Sequence, residues 1–411
     1  MKMKRILIIL LAISNIALAQ SDYKRVKKDI QYLSSDKLKG RFPGTKQELM
    51  AADYIIKTFS KLGLEPKGDK GYIQEFPFKM SKNPHATDDQ MVPKGYAHNV
   101  IAYLNNGAKY TVVVGAHYDH LGLGLGGNSL DANPENKIHN GADDNASGTA
   151  GVLELARYFV KNGVKENHNI LFICFSGEEE GLLGSKYFTS NPTIVLSDIS
   201  YMLNMDMIGR LNDSTKKIII SGVGTSPSWG PALNRRANNI IKYKADSAGM
   251  GPSDHASFYL KNIPVLHFYT GTHSDYHKPS DDAHKINNEG EAYVLNFIIE
   301  LMNDIDKEEN IGFTPTKNNN ASSSSTSFKV TLGVIPDYAF EGPGLRLDGV
   351  SEGKAAQKAG LKQGDVIMMM DELKIENIQD YMKGLSMFTK GQTVRLKIKR
   401  DGKEMVIPAT F

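Results

Sequence analysis

Gly141-Ala142-Asp143-Asp144-Asn145-Ala146-Ser147-Gly148 sets two adjacent acids inside a loop of glycine, alanine and serine. Val152, Leu153, Leu155, Ala156 and Phe159 follow at once, an apolar spacing that predicts a helix. Small residues let backbone approach closely, so a carboxylate here stands where a metal ion can be held. An acid or amide at this place can equally cap the free N–H groups of the helix and need no ligand. The loop alone does not separate the two readings, but the rest of the chain does.

Upstream, Tyr110 to Ala116 is a β-branched run that reads as a buried strand, and it ends directly in His117, Tyr118, Asp119 and His120. Downstream, a second apolar run, Asn169 to Phe175, ends in Ser176, Gly177, Glu178, Glu179, Glu180 and Gly181. A third, Tyr201 to Met205, ends in Asp206; Lys217 to Ser221 follows, and Pro264 to Tyr269 runs into Gly271, His273, Ser274, Asp275, Tyr276 and His277. Strands alternating with helices predict an α/β fold, a mostly parallel mixed sheet with helices on both faces. Such sheets bind ligands beyond the carboxyl ends of their strands, where His117, Glu178, Glu179 and Asp206 fall. The glycine-rich stretch Leu121 to Gly127 lacks the Lys and Ser/Thr of a phosphate loop and reads as the rim of the site. Before all of this, Val26, Ile30 and Leu33, then Met50, Tyr54, Ile55 and Phe59, mark helical faces separated by the turn Gly40 to Gly44, and Tyr72 to Phe78 reads as an edge strand.

Residues two apart in an extended segment face the same side, so Asp119 can orient the His117 imidazole. Asp206 sits in Asn204-Met205-Asp206-Met207-Ile208-Gly209, an apolar strand end where a lone carboxylate is costly unless paired or metal-bound. Imidazoles and carboxylates without a thiolate suit zinc. Ser253, Asp254 and His255 name the members of a hydrolytic triad, but consecutive residues do not converge as separate triad groups do, and the segment reads as pocket support. The single cysteine, Cys174, excludes an internal disulfide and reads as a small core residue.

His117-Tyr118-Asp119, the 141–148 loop, Gly177 to Ser185, Asn204 to Gly209, Ser253 to Phe258 and Asp275-Tyr276-His277, in that order, resemble the M28 family of zinc-dependent aminopeptidases over roughly Tyr23 to Ile305. The resemblance implies the di-zinc exopeptidase fold and hydrolysis of N-terminal residues from peptides with a free N-terminus. It implies two zinc ions, one with His117 and Asp206, the other with Glu179 and His277. Asp144 would bridge them, chosen over its neighbour Asp143 because it lies four residues before Gly148 as in relatives. Two metals about 3.5–4 Å apart share a water and lower its pKa toward about 7. Glu178, not needed as a ligand, is then free to take the water's proton and pass it to the leaving amine. Asp119 would hold His117, and the resemblance implies that the Tyr276 hydroxyl faces the developing oxyanion. The alternatives are a glutaminyl-cyclase-like transferase on the same scaffold and an inactive metal-binding adaptor working through a second domain.

At 411 residues the chain exceeds a single core, and two domains are expected. A net charge of +3, with basic and acidic residues interspersed, gives no nucleic-acid footprint. Lys2, Lys4 and Arg5 precede the apolar run Ile6 to Leu11, and Ala17-Leu18-Ala19 fits a signal-peptidase site, so residues 1–19 read as a signal peptide cleaved after Ala19. The run is broken by Ser14 and Asn15 and is short for a span, so an exported protein, periplasmic or secreted and without a membrane span after processing, is expected. Residues 20–312 read as the zinc peptidase domain, the Asn- and Ser-rich 313–327 as a linker, and 328–411 as strands with one helix around Ala355 to Ala359. Gly349 to Glu372, with Leu332-Gly333-Val334 before it, resembles a bacterial PDZ domain, which implies capture of a peptide C-terminus as an added strand. A packing module that binds nothing is the other reading of that domain.

Overall fold

Val112 and Val114 point into one hydrophobic core and Val113 into another, and the same alternation separates Ile170, Phe172 and Cys174 from Leu171, Ile173 and Phe175. A strand presents successive side chains to opposite faces, so each of these runs is continuously apolar because both faces of its sheet are covered. The computed structural model describes residues 22–81, 91–124, 128–131, 133–236, 240–316, 330–336, 340, 342–350, 354–376 and 378–411. The signal peptide expected at 1–19 and linker residues 317–327 lie outside them.

The strands of the large sheet are β1 Glu65–Pro66, β2 Ile73–Ser81, β3 Met91–Leu104, β4 Thr111–His117, β5 Asn169–Phe175, β6 Ile199–Met205, β7 Lys217–Ser221, β8 Lys242–Ala245 and β9 Val265–Tyr269. They are ordered β1-β3-β5-β4-β6-β9-β7-β8, with β2 paired to β3. β5, β4, β6 and β9 are mutually parallel, as are β7 and β8, while β3 joins β5 and β7 joins β9 antiparallel. The sheet is thus the mixed, centrally parallel one expected. The helices are α1 Tyr23–Leu33, α2 Lys46–Lys61, α3 Gly148–Lys161, α4 Leu183–Ser190, α5 Trp229–Asn234, α6 His255–Tyr259 and α7 Asn288–Ile305. Buried residues of α1, α2, α3, α5 and α7 share the core of Val112 and Val114, whereas Phe188 of α4 and Phe258 of α6 pack with Val113 on the other face.

After α7 the chain runs back over the domain. Ile311 is buried in the main core and its N–H donates to Ser200 Oγ (3.3 Å). Phe313 packs against Tyr259 with ring centroids 5.5 Å apart, Thr314 N–H donates to the Thr225 carbonyl (2.8 Å), and Thr316 N–H donates to the Tyr259 hydroxyl (3.0 Å).

A second, antiparallel sheet has its own core around Leu332, Leu347, Ile367, Leu396 and Ile398. It comprises β10 Val334–Pro336, β11 Leu345–Val350, β12 Val366–Met370, β13 Leu373–Lys374, β14 Thr393–Arg400 and β15 Lys403–Thr410, with helices α8 Ala355–Lys358 and α9 Ile378–Ser386. The expectation of one helix is therefore corrected to two. Tyr381 and Leu385 give α9 a buried i, i+4 pair, but Gly384 lies between them and weakens the helical signal. Buried Asp365 closes the domain by a bidentate pair with Arg400, both oxygens at 2.6 Å. Among the described residues no helix is long and apolar enough to cross a membrane.

Candidate metal centre

Because β5, β4 and β6 are adjacent and parallel, the residues that leave their carboxyl ends emerge on one side of the sheet. His117 is the last residue of β4, Glu178 and Glu179 follow β5, and Asp206 follows β6. The loop preceding α3 is drawn across these ends, with Thr149 Oγ1 donating to the His117 carbonyl (2.7 Å) and Asn145 Nδ2 to the Met205 carbonyl (2.9 Å).

Asp144 is buried and its two oxygens diverge. Oδ1 lies 3.3 Å from His117 Nε2 and Oδ2 lies 3.2 Å from His277 Nε2. His117 Nε2 is also 3.4 Å from Asp206 Oδ1, and His277 Nε2 is 3.1 Å from Glu179 Oε2. Two clusters of imidazole and carboxylate therefore share one aspartate. His277 is oriented from behind: its Nδ1 is 2.9 Å from the Asn128 carbonyl oxygen, which can only accept, so Nδ1 carries a proton and Nε2 is the nitrogen left to bind a metal when the ring is neutral. Leu130 N–H and Ser129 Oγ both donate to the His277 carbonyl, so residues 128–130 form that rim.

The neighbouring acids have separate duties. Asp143 accepts from Gly209 N–H (2.7 Å) and faces His273 Nε2 (3.1 Å). Asn145 Oδ1 accepts from Gly148 N–H (2.8 Å), taking the capping role and leaving Asp144 free. Asp119 Oδ1 is 3.6 Å from His117 Nδ1, beyond hydrogen-bond length. Its oxygens accept from the N–H groups of Glu178 (3.2 Å) and Glu179 (3.4 Å). Glu178 Oε2 is 4.0 Å from His117 Nε2. The Tyr276 ring stacks on His277 with centroids 3.9 Å apart. Ser253 Oγ accepts from Asn204 Nδ2 (2.8 Å), while His255 stacks on His267 at 4.5 Å, so these side chains turn to different partners.

Three residues at the centre carry no expected role. His120 is fully buried with Nδ1 2.6 Å from Glu179 Oε1. It stands one residue after the His117-Tyr118-Asp119 motif, which was its only signal. Asp281 Oδ2 accepts from the N–H groups of Asp143 (2.8 Å) and Asp144 (3.0 Å), and its Oδ1 pairs with Arg210 Nη2 (3.2 Å). The third, Arg41, donates to carbonyls of this region.

Electrostatics follow the geometry. Against the cost of burial, His117 and His277 hold the Asp144 carboxyl well below its ordinary range. Burial likewise opposes Glu179, yet His277 and His120 keep it down to about 2. Burial pushes Glu178 well above the usual carboxylate range, with His117 opposing and Asp206 and Glu179 adding to the rise. Burial works against charge on both imidazoles, but Glu178 and Asp206 raise His117, and Glu179 and Asp144 raise His277, well above the usual histidine value. Asp144 Oδ2, His120 Nε2 and His117 Nδ1 are buried without a hydrogen-bond partner among the described residues. Nitrogen and oxygen donors with unsatisfied atoms and no sulfur converge here in two groups that could hold a metal ion, His117 with Asp144 and Asp206 and His120 with Asp144 and Glu179.

Residues 99–302 match the family model of peptidase family M28, and residues 310–408 that of the PDZ domain. Leucine aminopeptidase 2 of Arthroderma otae is 29% identical over 214 residues, which are 48% of this chain and 41% of that protein. The chain thus spans less than half the length of this curated relative. Among solved structures, the zinc aminopeptidase of Bacillus subtilis superposes with a TM-score of 0.56 at 18% identity, over 70% of this chain and 96% of its own. Porphyromonas gingivalis glutaminyl cyclase superposes with a TM-score of 0.54 at 20% identity, over 70% and 99%. At these identities the two structures share the fold, and the family is carried by the sequence matches: the chain has a peptidase family M28 domain followed by a PDZ domain.

Proposed function

We propose that this chain is an exported di-zinc metallo-aminopeptidase that removes N-terminal residues from peptides with a free N-terminus. The observation that carries the reading is the divergence of the Asp144 oxygens to His117 at 3.3 Å and His277 at 3.2 Å, each histidine having its own second carboxylate. The names of the relatives above point the same way, and the N-terminal pattern of Lys2 to Ala19 supports export. His117 and Asp206 would hold one zinc, Glu179 and His277 the other, and Asp144 both. The bound pair would supply Lewis acidity to the scissile carbonyl and to a water.

Glu178 stands beside that space and performs the proton transfers. As the water oxygen bonds to the carbonyl carbon, Glu178 takes its proton, and as the C–N bond breaks it returns that proton to the leaving amine. Asp119 fixes the backbone of the Glu178–Glu179 pair through its two accepted hydrogen bonds. Tyr276, packed against His277, is the proposed hydroxyl donor to the oxyanion. The PDZ domain is proposed to hold a peptide C-terminus as an added strand.

The test uses the protein from Gln20 onward, zinc-loaded, with paired peptides differing only in a free or acetylated N-terminus, one of them beginning with Gln. Mass spectrometry is expected to show stepwise shortening of the free peptides alone. Glu178→Gln should keep two zinc ions and lose about 10²–10⁴-fold in kcat. Loss of ammonia from the Gln peptide without shortening would establish a cyclase instead, and unchanged peptides would leave an adaptor acting through its PDZ domain.

A further inference from the structure

We infer that Arg41 is a positioning residue of the metal centre, whose guanidinium clamps the loop that carries Glu179's partner His120 and the loop that leads into the shared Asp144, and sets zinc affinity at Glu179–His277 more than at His117–Asp206. The inference rests on the two-metal reading above.

Arg41 is fully buried, and its donors go to main-chain carbonyls from three parts of the chain. Nε donates to Tyr118 O (2.7 Å), Nη1 to Asn140 O (2.7 Å) and Leu33 O, and Nη2 to Gly141 O (3.1 Å). One guanidinium therefore ties the end of α1 to the loop after β4 and to the loop that leads into Asp144. None of these acceptors is charged, and a buried cation without a contacting anion is costly. Burial lowers its pKa to about 10, and the charges opposing this are Asp119, Asp144, Asp281 and Glu179. Of those carboxylates Glu179 belongs to one half, Asp144 is shared by both, and Asp119 and Asp281 hold backbone N–H groups beside them.

The backbone is contorted to deliver this side chain. Lys39, Gly40 and Arg41 are consecutive left-handed residues with φ of 42°, 70° and 49°, and the two non-glycine residues are strained there. Gly40 is wedged into the rim: a Cβ on it would lie 2.4 Å from the His139 carbonyl oxygen and 2.7 Å from that of Gly122. Strain of this kind persists only where the surroundings over-determine it.

The two halves depend on the clamp unequally. Tyr118 leads into Asp119 and His120, which contact the Glu179 backbone and side chain, whereas Gly141 leads into Asp144, which both halves share. His117 is held within β4 by its pairing with β5, and Asp206 follows β6 with its N–H bonded to the Phe268 carbonyl (3.1 Å). Neither anchor involves Arg41.

The experiment titrates zinc into the metal-free full chain by calorimetry and native mass spectrometry, for wild type, Arg41→Lys and Arg41→Met. His277→Ala and Asp206→Asn identify which binding step belongs to which half. The step abolished by His277→Ala should weaken about 10–100-fold in both Arg41 variants, while the step abolished by Asp206→Asn should shift less than about 3-fold. Equal shifts in both steps, or none, would overturn the clamp. A wild type that takes up fewer than two zinc ions would overturn the two-metal reading itself, with no variant needed. If the Arg41 variants do not fold, a ¹⁵N-arginine-labelled wild type decides the matter, because Arg41 is the one buried arginine among the described residues. Its slowly exchanging Nε–H signal should move with the His277-dependent step and not with the other, and a signal indifferent to that step would sink the proposal.

Discussion

At the scale of single residues, the centre depends on groups that touch no ligand position. Asp281 is buried and offers one oxygen to the N–H groups of Asp143 and Asp144 and the other to Arg210. Asp281→Asn keeps the shape but must aim an N–H₂ group at one of these donors. Zinc affinity in competition with a chelator is expected to fall about 10–100-fold. His255 makes the opposite case. It is buried against His267 with neither ring nitrogen hydrogen-bonded among the described residues, and burial, with His267 adding, drops its pKa well below the ordinary value. An unfolded chain takes up a proton there as pH falls through about 6.5, whereas the folded one does not, so this residue withdraws stability as pH falls below that value. His267, held down to about 4 by burial with His117 against Asp206, acts in the same direction. Thermal unfolding from pH 7.5 to 5 should therefore show a shallower loss for His255→Phe than for wild type. The variant should be more stable by about 1–3 kcal/mol, the cost of the unsatisfied nitrogens. Parallel curves would mean that His255 carries no such burden.

At the scale of elements, the junction of the 141–148 loop with α3 is the tightest constraint on the site. A Cβ on Gly148 would lie 2.3 Å from the Met205 carbonyl oxygen at the end of β6 and 2.4 Å from Asn145 Oδ1. Gly148→Ala must push the loop off the strand end, and a loss of about 1–3 kcal/mol together with weaker zinc uptake is expected by thermal unfolding and metal titration. Gly230→Ala in α5, where a Cβ meets nothing within 4 Å, should leave both unchanged or raise stability by about 0.5–1 kcal/mol. The same elements explain what could be read beforehand. β5 begins and ends where its apolar run does, and β4, β6 and β9 within two residues, because a strand buried on both faces must be apolar throughout; β7 also matches its run, Lys217 to Ser221, through the alternation of buried and half-exposed residues. β8, Lys242–Ala245, escaped notice because its pattern is polar and half-exposed at the sheet edge. The motif acids and histidines could be named because their side chains supply the chemistry. Arg41 and Asp281 could not, since they act on a carbonyl 100 residues and an N–H group 138 residues away in sequence, and backbone atoms leave no mark on residue type.

At the scale of the whole molecule, the two sheets bury separate cores, one around Val112 and the other around Leu347. Removing the PDZ domain should therefore leave the peptidase domain folded, with kcat/KM on dipeptides unchanged. If the PDZ domain holds the far end of a substrate, KM on long peptides should rise at least about 3-fold on removal, whereas an unchanged KM would make it a module for some other contact. The cut belongs after Thr316. A chain ending at residue 312 would strip Phe313 from Tyr259 and undo the bonds of Thr314 to Thr225 and of Thr316 to Tyr259. That fastening also decides where a mechanical load would travel. Tension applied through the PDZ domain reaches Thr316 first and passes to Tyr259, the last residue of α6, before it can act on α7. The long helix that packs against the central sheet is thus shielded from pulling, while the short one that follows Ser253 and Asp254 at the metal centre takes the strain.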